Sequence, residues 1–166
     1  MQQTTDERAL SVIDAAASQE TKHFLTLVLR EVGFNVDLQA MDWETLTTRR
    51  ASQNAPSKGG WNLFFSNWMV PEIMSPLANP MINARGDNAW FGWPKDDVLE
   101  GLRSEYTAAT TSEQQIAVAR RIQAYTIDNV IYVPLGQFTL PQARSKALTG
   151  MIRSPVPVFW NVEKSK

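Results

Sequence analysis

Cysteine is absent from the 166 residues, and histidine occurs once, as His23. The first absence excludes a disulfide framework, thiolate zinc sites and a cysteine nucleophile. It says little about compartment, because a core of this size needs no covalent staples. The second absence leaves no histidine pair to anchor a metal, and no G-x-S-x-G elbow accompanies His23 to form a serine nucleophile. No metal, no cofactor and no catalytic residue are therefore expected, and His23 reads as a surface or packing residue of a helix.

Other shortages narrow the field further. No apolar run approaches the ~20 residues that span a bilayer. Charge of one sign is not in excess either, with 16 basic against 17 acidic residues and a net charge of −1. No cluster of Lys and Arg breaks that balance, so nucleic acid is not an expected partner. "KGGW" and "ARGDN" are turns outside the strand–loop–helix order of a phosphate cradle. The opening "MQQTTDERAL" lacks the basic and apolar blocks of a secretory signal and, taken alone, reads as a cytoplasmic start.

What is present is an ordinary globular composition, 43% hydrophobic and 20% charged, sufficient for one domain with a substantial core. "RALSVIDAA" reads as a strand centred on Leu10, Val12 and Ile13. "SQETKHFLTLVLREVG" has helical spacing, with Phe24, Leu27, Val28 and Val32 on one face, Ser18 or Thr21 as cap and Gly33 past the end. "FNVDLQAM" alternates like a strand, Phe34, Val36, Leu38 and Ala40 on one side. Strand, helix, strand predicts that Leu10–Ile13 and Val36–Ala40 are parallel neighbours. Asp42 is placed to cap a short helix, "WETLTTRRAS". "WNLFFSNW" over Trp61–Trp68 reads as a third strand.

From Met69 to Pro94 the pattern dissolves into a long segment punctuated by proline and glycine. It carries six Met or aromatic residues, which predicts order and function instead of a free tail. "PKDDVLEGLRSEYTAA" then reads as a helix with Pro94 near its first turn, where Asp96, Asp97 and Glu100 cap and solvate. "TTSEQQIAVARRIQAYTIDNV" reads as a helix opened by a Ser112–Gln115 capping box and burying Ile116, Ala119 and Ile122. "VIYVPLGQF" reads as a strand, with Pro134 at an edge or end.

The concentration of rings is the feature that asks for a function. Trp68 ends the third predicted strand, and "NAWFGWP" sets Trp90, Phe91 and Trp93 on a loop. In parallel α/β sheets ligands gather beyond the carboxyl ends of strands, and aromatic faces suit small-molecule capture. The alternative is that the same rings cover an open sheet edge, and the spacing alone leaves both readings open.

The order of these segments resembles a known family. "LREVGFNVDLQAMDWETL", "WNLFFSNW", "NAWFGWPKDDVLEGL", "QQIAVARRIQAYTIDNVIYVPLGQ" and the late "LTG" together resemble the C-terminal lobe of the extracytoplasmic solute-binding proteins of ABC importers, family 5, the peptide/nickel/opine class. The resemblance runs from about Arg8 to the end. It implies an α/β fold with a mixed or mainly parallel sheet flanked by helices, one lobe of a periplasmic-binding-protein type II fold. Residues 1–166 would then be a single domain, a C-terminal fragment of a longer two-lobed parent located in the periplasm. The implied partners are a small-molecule solute such as a peptide, the ABC permease in the membrane and the missing N-terminal lobe. The implied ligand-binding residues are Trp68, Trp90, Trp93 and Phe91, with Asn67 and Gln137 as polar contacts near strand ends. Trp43 and Trp61 are expected in the core, and Trp160 is unassigned.

One departure bears on the ligand. Peptide binders of this class carry Trp-x-x-Asp after the third strand, the aspartate pairing with the peptide's ammonium group. Here Trp68 is followed by Met69, Val70 and Pro71, which puts recognition of a free N-terminus in doubt. Two other classes stay open: a small-molecule enzyme domain, if Asp87, Asp96 or Glu72 converge, and a protein-interaction module using the aromatic loop.

Overall fold

Val12 and Ile13 have almost no exposed surface, and the strand they belong to organises the first part of the chain. The protein is described from a computed structural model, which covers residues 9–14, 19–139, 143–154 and 158–164. It divides into two compact units, Met1–Glu100 and Gly101–Lys166.

In the first unit, β1 (Ala9–Asp14) lies between two parallel partners, β2 (Asn35–Ala40) and β3 (Leu63–Phe64). The order is β2-β1-β3. Leu10 stands opposite Val36, and Ile13 stands between Gln39 and Phe64. The crossover from β1 to β2 is α1 (Gln19–Glu31), so the strand–helix–strand reading holds. Val12, Val36 and Phe65 form a buried cluster, with Leu10, Leu25, Leu29, Leu38 and Leu63 packed against it.

The helix is turned differently from the sequence expectation. Leu25 and Leu29 face the sheet, whereas Phe24, Leu27, Val28 and Val32 are exposed. "FLTLVL" is apolar around most of its circumference, so spacing alone does not choose the buried stripe. The end of α1 follows expectation. Gly33 adopts φ 94°, its N–H donates to the Arg30 carbonyl, and the Phe34 N–H donates to the Leu29 carbonyl. This pair of bonds closes a helix on a left-handed residue, which glycine adopts without steric cost. Of the two proposed starting caps, Ser18 lies outside the described residues and Thr21 sits inside the helix.

Asp42 caps α2 (Trp43–Arg49), accepting from the Thr45 N–H. The Thr45 hydroxyl and N–H hold its carboxyl below the usual aspartate range. That contribution to stability is present above the unfolded-state value and lost as pH falls through the lowered one. Arg49, at the other end of α2, donates through Nε and Nη2 to the carbonyls of Gly59 and Gly60, both at 3.1 Å. Its Nη1 donates to Gln39, so one guanidinium joins β2, α2 and the turn that leads into β3.

The third strand is shorter than "WNLFFSNW" suggests. The register that sets Ile13 beside Phe64 brings β1 to its end at Asp14, and the ladder runs out after the Phe65 N–H donates to the Ile13 carbonyl. At its other end Asn62 extends the pairing, its Oδ1 accepting from the Ser11 N–H at 2.8 Å. Residues 69–94 are ordered, as expected, by α3 (Val70–Ile73), two short 3-10 turns and the buried Asn79, Ile82 and Ala84. α4 (Asp97–Ala108) begins three residues past Pro94, because Asp96 is the cap: its Oδ1 accepts from the N–H groups of Val98 and Leu99.

In the second unit α5 (Ser112–Asp128) opens on a capping box one residue earlier than expected, Thr111 with Gln114. Its buried stripe is Val118, Ile122 and Thr126, spaced by full turns; Ile116 is exposed and Ala119 half-buried. No strand forms over 130–138. Val130 takes φ 50°, which turns the chain sharply after the helix, and Pro134 has no N–H to give to a ladder. β4 (Leu148–Thr149) and β5 (Glu163–Lys164) pair antiparallel.

The turn before β3 depends on a close approach at Gly60. A Cβ there would lie 1.8 Å from the Asn54 carbonyl oxygen. Gly60→Ala is expected to lower stability by about 1–3 kcal/mol, as overpacking does, measured by urea denaturation; an unchanged midpoint would contradict the contact.

Candidate functional site

The loop carrying "NAWFGWP" is closed at its base by backbone pairing. Arg85 and Lys95 form an antiparallel bridge. The Gly86 N–H donates to the Pro94 carbonyl at 2.9 Å, and the Asp96 N–H to the Ala84 carbonyl at 3.0 Å. Glu100 pins the same base from the start of α4: Oε1 accepts from the Ala84 N–H at 2.8 Å, and Oε2 pairs with Arg85 Nε at 2.9 Å. Between these anchors the Trp93 N–H donates to the Trp90 carbonyl, making a four-residue turn. Gly92, third in that turn, has φ 100°, and Trp93 itself has φ 48°. A left-handed tryptophan is costly. The surrounding ring contacts are what hold it there.

Those contacts join six rings into one cluster. Phe64, at the end of β3, lies 4.7 Å from Trp61 edge-on, 5.4 Å from Trp90 and 6.5 Å from Phe91. Trp68 packs on Trp90 at 5.5 Å, and Trp93 reaches Trp61 at 6.2 Å. All six are half-buried. Edge-on and tilted pairs of this kind add ~0.5–1.5 kcal/mol each beyond area burial. The rings cover the sheet at β3, where Phe64 meets Trp61, Trp90 and Phe91, and each keeps part of its surface exposed. Trp43 and Trp61 correct the expectation of a core role. Trp43 is exposed, and Trp61 belongs to this cluster, its Nε1 donating to the Arg50 carbonyl at 3.1 Å.

Arg50, which sequence reading passed over, sits among the rings. Its guanidinium carbon is 4.6 Å from the Phe91 centroid, 5.5 Å from Trp90 and 5.6 Å from Trp43. The only signal for it in the sequence is a basic residue at the end of a helix that starts with tryptophan. Burial lowers its pKa from the ordinary arginine value. Its Nε, and Nε1 of Trp68, are buried without a hydrogen-bond partner. Cation–π attraction of ~0.5–2 kcal/mol is set against ~1–3 kcal/mol for an unsatisfied buried donor. The two are of similar size, so the cage alone does not settle the cation.

The remaining binding candidates are exposed residues. Asn67 is exposed, three residues beyond β3. Gln137 is exposed on the segment where no strand forms, so the strand-end argument for it fails. Trp160 is 88% exposed. The carboxylates considered for catalysis do not converge: Glu72 caps its own helix by accepting from the Met69 N–H, Asp96 caps α4, and Asp87 is exposed in a 3-10 turn. Among the described residues no group of three His, Asp or Glu side chains could hold a metal ion.

The turn gives a direct test of the cluster's support. Nothing lies within 4 Å of a Cβ at Gly92, so only its positive φ opposes a side chain. Gly92→Ala is expected to cost about 1–2 kcal/mol and to shift the tryptophan emission to longer wavelength as rings lose contact. An unchanged spectrum and midpoint would remove the turn from the site's foundations.

No protein-family model matches the chain. It is 34% identical over 156 residues, 94% of its length, to the "Probable peptide ABC transporter periplasmic-binding protein y4tO" of Sinorhizobium fredii (strain NBRC 101917 / NGR234). The chain spans 29% of that relative's length. With its parallel three-stranded sheet and flanking helices, the chain is similar over nearly its whole length to this periplasmic-binding protein of an ABC transporter, the class that the order of its motifs resembles.

Proposed function

We propose that the chain is one lobe of a two-lobed solute-binding protein of an ABC importer. It would capture a peptide-like or other small solute in the cleft between lobes, without catalysis, and deliver it to a membrane permease from the periplasm. The observation that carries this reading is the ring cluster at the surface beside β3. Six half-buried aromatic rings on a braced loop offer large contact area that few rotatable bonds must be frozen to use. The name of the relative, a probable peptide ABC transporter periplasmic-binding protein, supports the substrate class. Trp68, Trp90, Phe91 and Trp93 would form one wall of the site, with Asn67 as a polar contact on the same ligand. The opposite wall would come from the parent's other lobe, closing by a hinge.

A tight small-molecule site covers most of its ligand. One wall alone should therefore bind at least tenfold more weakly, each factor of ten being ~1.4 kcal/mol. The test is a thermal-shift panel of peptides, opines, sugars and metal chelates on the natural full-length chain that carries this sequence. Titration of each hit follows on that chain, its Trp90→Ala and Trp93→Ala variants, and the 166-residue chain. The expectation is a stabilising solute whose affinity falls at least tenfold in both variants and in the short chain. Equal affinity throughout would overturn the wall assignment, and burial of the rings by a second copy of the chain would favour an interaction module.

A further inference from the structure

Arg50 brings a positive charge into the ring cluster with no counter-charge. Its guanidinium makes no ion pair or hydrogen bond among the described residues, while three ring faces lie within 5.6 Å of its carbon. Trp68, packed on the same Trp90 ring, has a second buried donor without a partner. Desolvation alone shifts the Arg50 guanidinium, with no neighbouring carboxylate contributing among the described residues. Stacking occupies the faces of a guanidinium and leaves its N–H donors in the plane, the arrangement that meets a carboxylate in two parallel hydrogen bonds. Apolar surroundings weaken the competition from water and strengthen such a pair.

Resting on the reading of these rings as a ligand wall, we infer that the wall takes a carboxylate carried on an apolar or aromatic body. Arg50 holds the carboxylate and the faces of Trp90 and Phe91 hold the body. The chemistry is shared by peptides with a free C-terminus and by non-peptide organic acids, and the experiment separates them.

Isothermal titration of the natural full-length chain would use two probe sets. One is hydrophobic dipeptides as free acids and as C-terminal amides; the other is 3-phenylpropionate and its amide. The expected result is an acid preferred over its amide by tenfold or more, with the preference lost in Arg50→Gln and partly kept in Arg50→Lys. Both variants leave the backbone contacts of position 50 in place, its N–H to Leu46 and Thr48 and its carbonyl to Trp61. Near-UV circular dichroism checks that the rings stay packed. Preference for 3-phenylpropionate with no peptide bound would uphold the carboxylate site and reject the peptide reading. Acids and amides bound equally, neither set bound at all, or a preference that survives in Arg50→Gln would overturn the inference.

Discussion

The ring cluster depends on the pairing at the base of its loop. Trp90, Phe91 and Trp93 have no strand or helix of their own to fix them. Their placement comes from two backbone bonds, Gly86 to Pro94 and Asp96 to Ala84, and from Glu100, which ties that base to the first turn of α4. The same few residues start a helix and brace a loop. A loop built this way can present apolar surface without collapsing onto it, because its ends are held at one separation.

The cluster's second constraint is electrostatic. A cation among rings is attracted to their faces, but burial withdraws water from its donors. Arg49 and Arg50, adjacent in sequence, show the two solutions. Arg49 spends its donors on Gly59, Gly60 and Gln39 and stabilises the fold. Arg50 makes no such bonds and stacks instead. Adjacent side chains at a helix end point in different directions, and here one direction leads to carbonyls and the other to aromatic surface.

Much of the sheet was legible in the sequence, because period-two alternation and a glycine-closed helix specify a parallel pair almost uniquely. Register then fixed what spacing could not. The aromatic run of Trp61–Trp68 looks like a long strand, yet only the part beside β1 forms a ladder. The orientation of α1 was not legible, since its apolar residues surround the axis and the choice between Leu25 with Leu29 and Phe24 with Val28 is made by the sheet. The segment 130–138 misled for a related reason: high strand propensity is a statement about fitting a pleated surface, and Val130 turns away from one. In the site, the rings announced themselves by composition. Arg50 did not, because nothing in "TTRRAS" distinguishes the arginine that binds carbonyls from the one that enters the cluster.

The continuity of the cluster has a consequence for how it can change. Trp93 touches Trp61, Trp61 touches Phe64, Phe64 touches Trp90, and Trp90 touches Trp68. A substitution at any one ring therefore alters the seat of its neighbours. Sites in contact do not combine additively, and coupling of ~0.5–3 kcal/mol between them is usual. Mutational drift at these positions is then a correlated walk: a smaller ring at one place becomes tolerable only after a larger one has filled the space beside it. The cluster changes as a unit, through compensated pairs of exchanges instead of single ones.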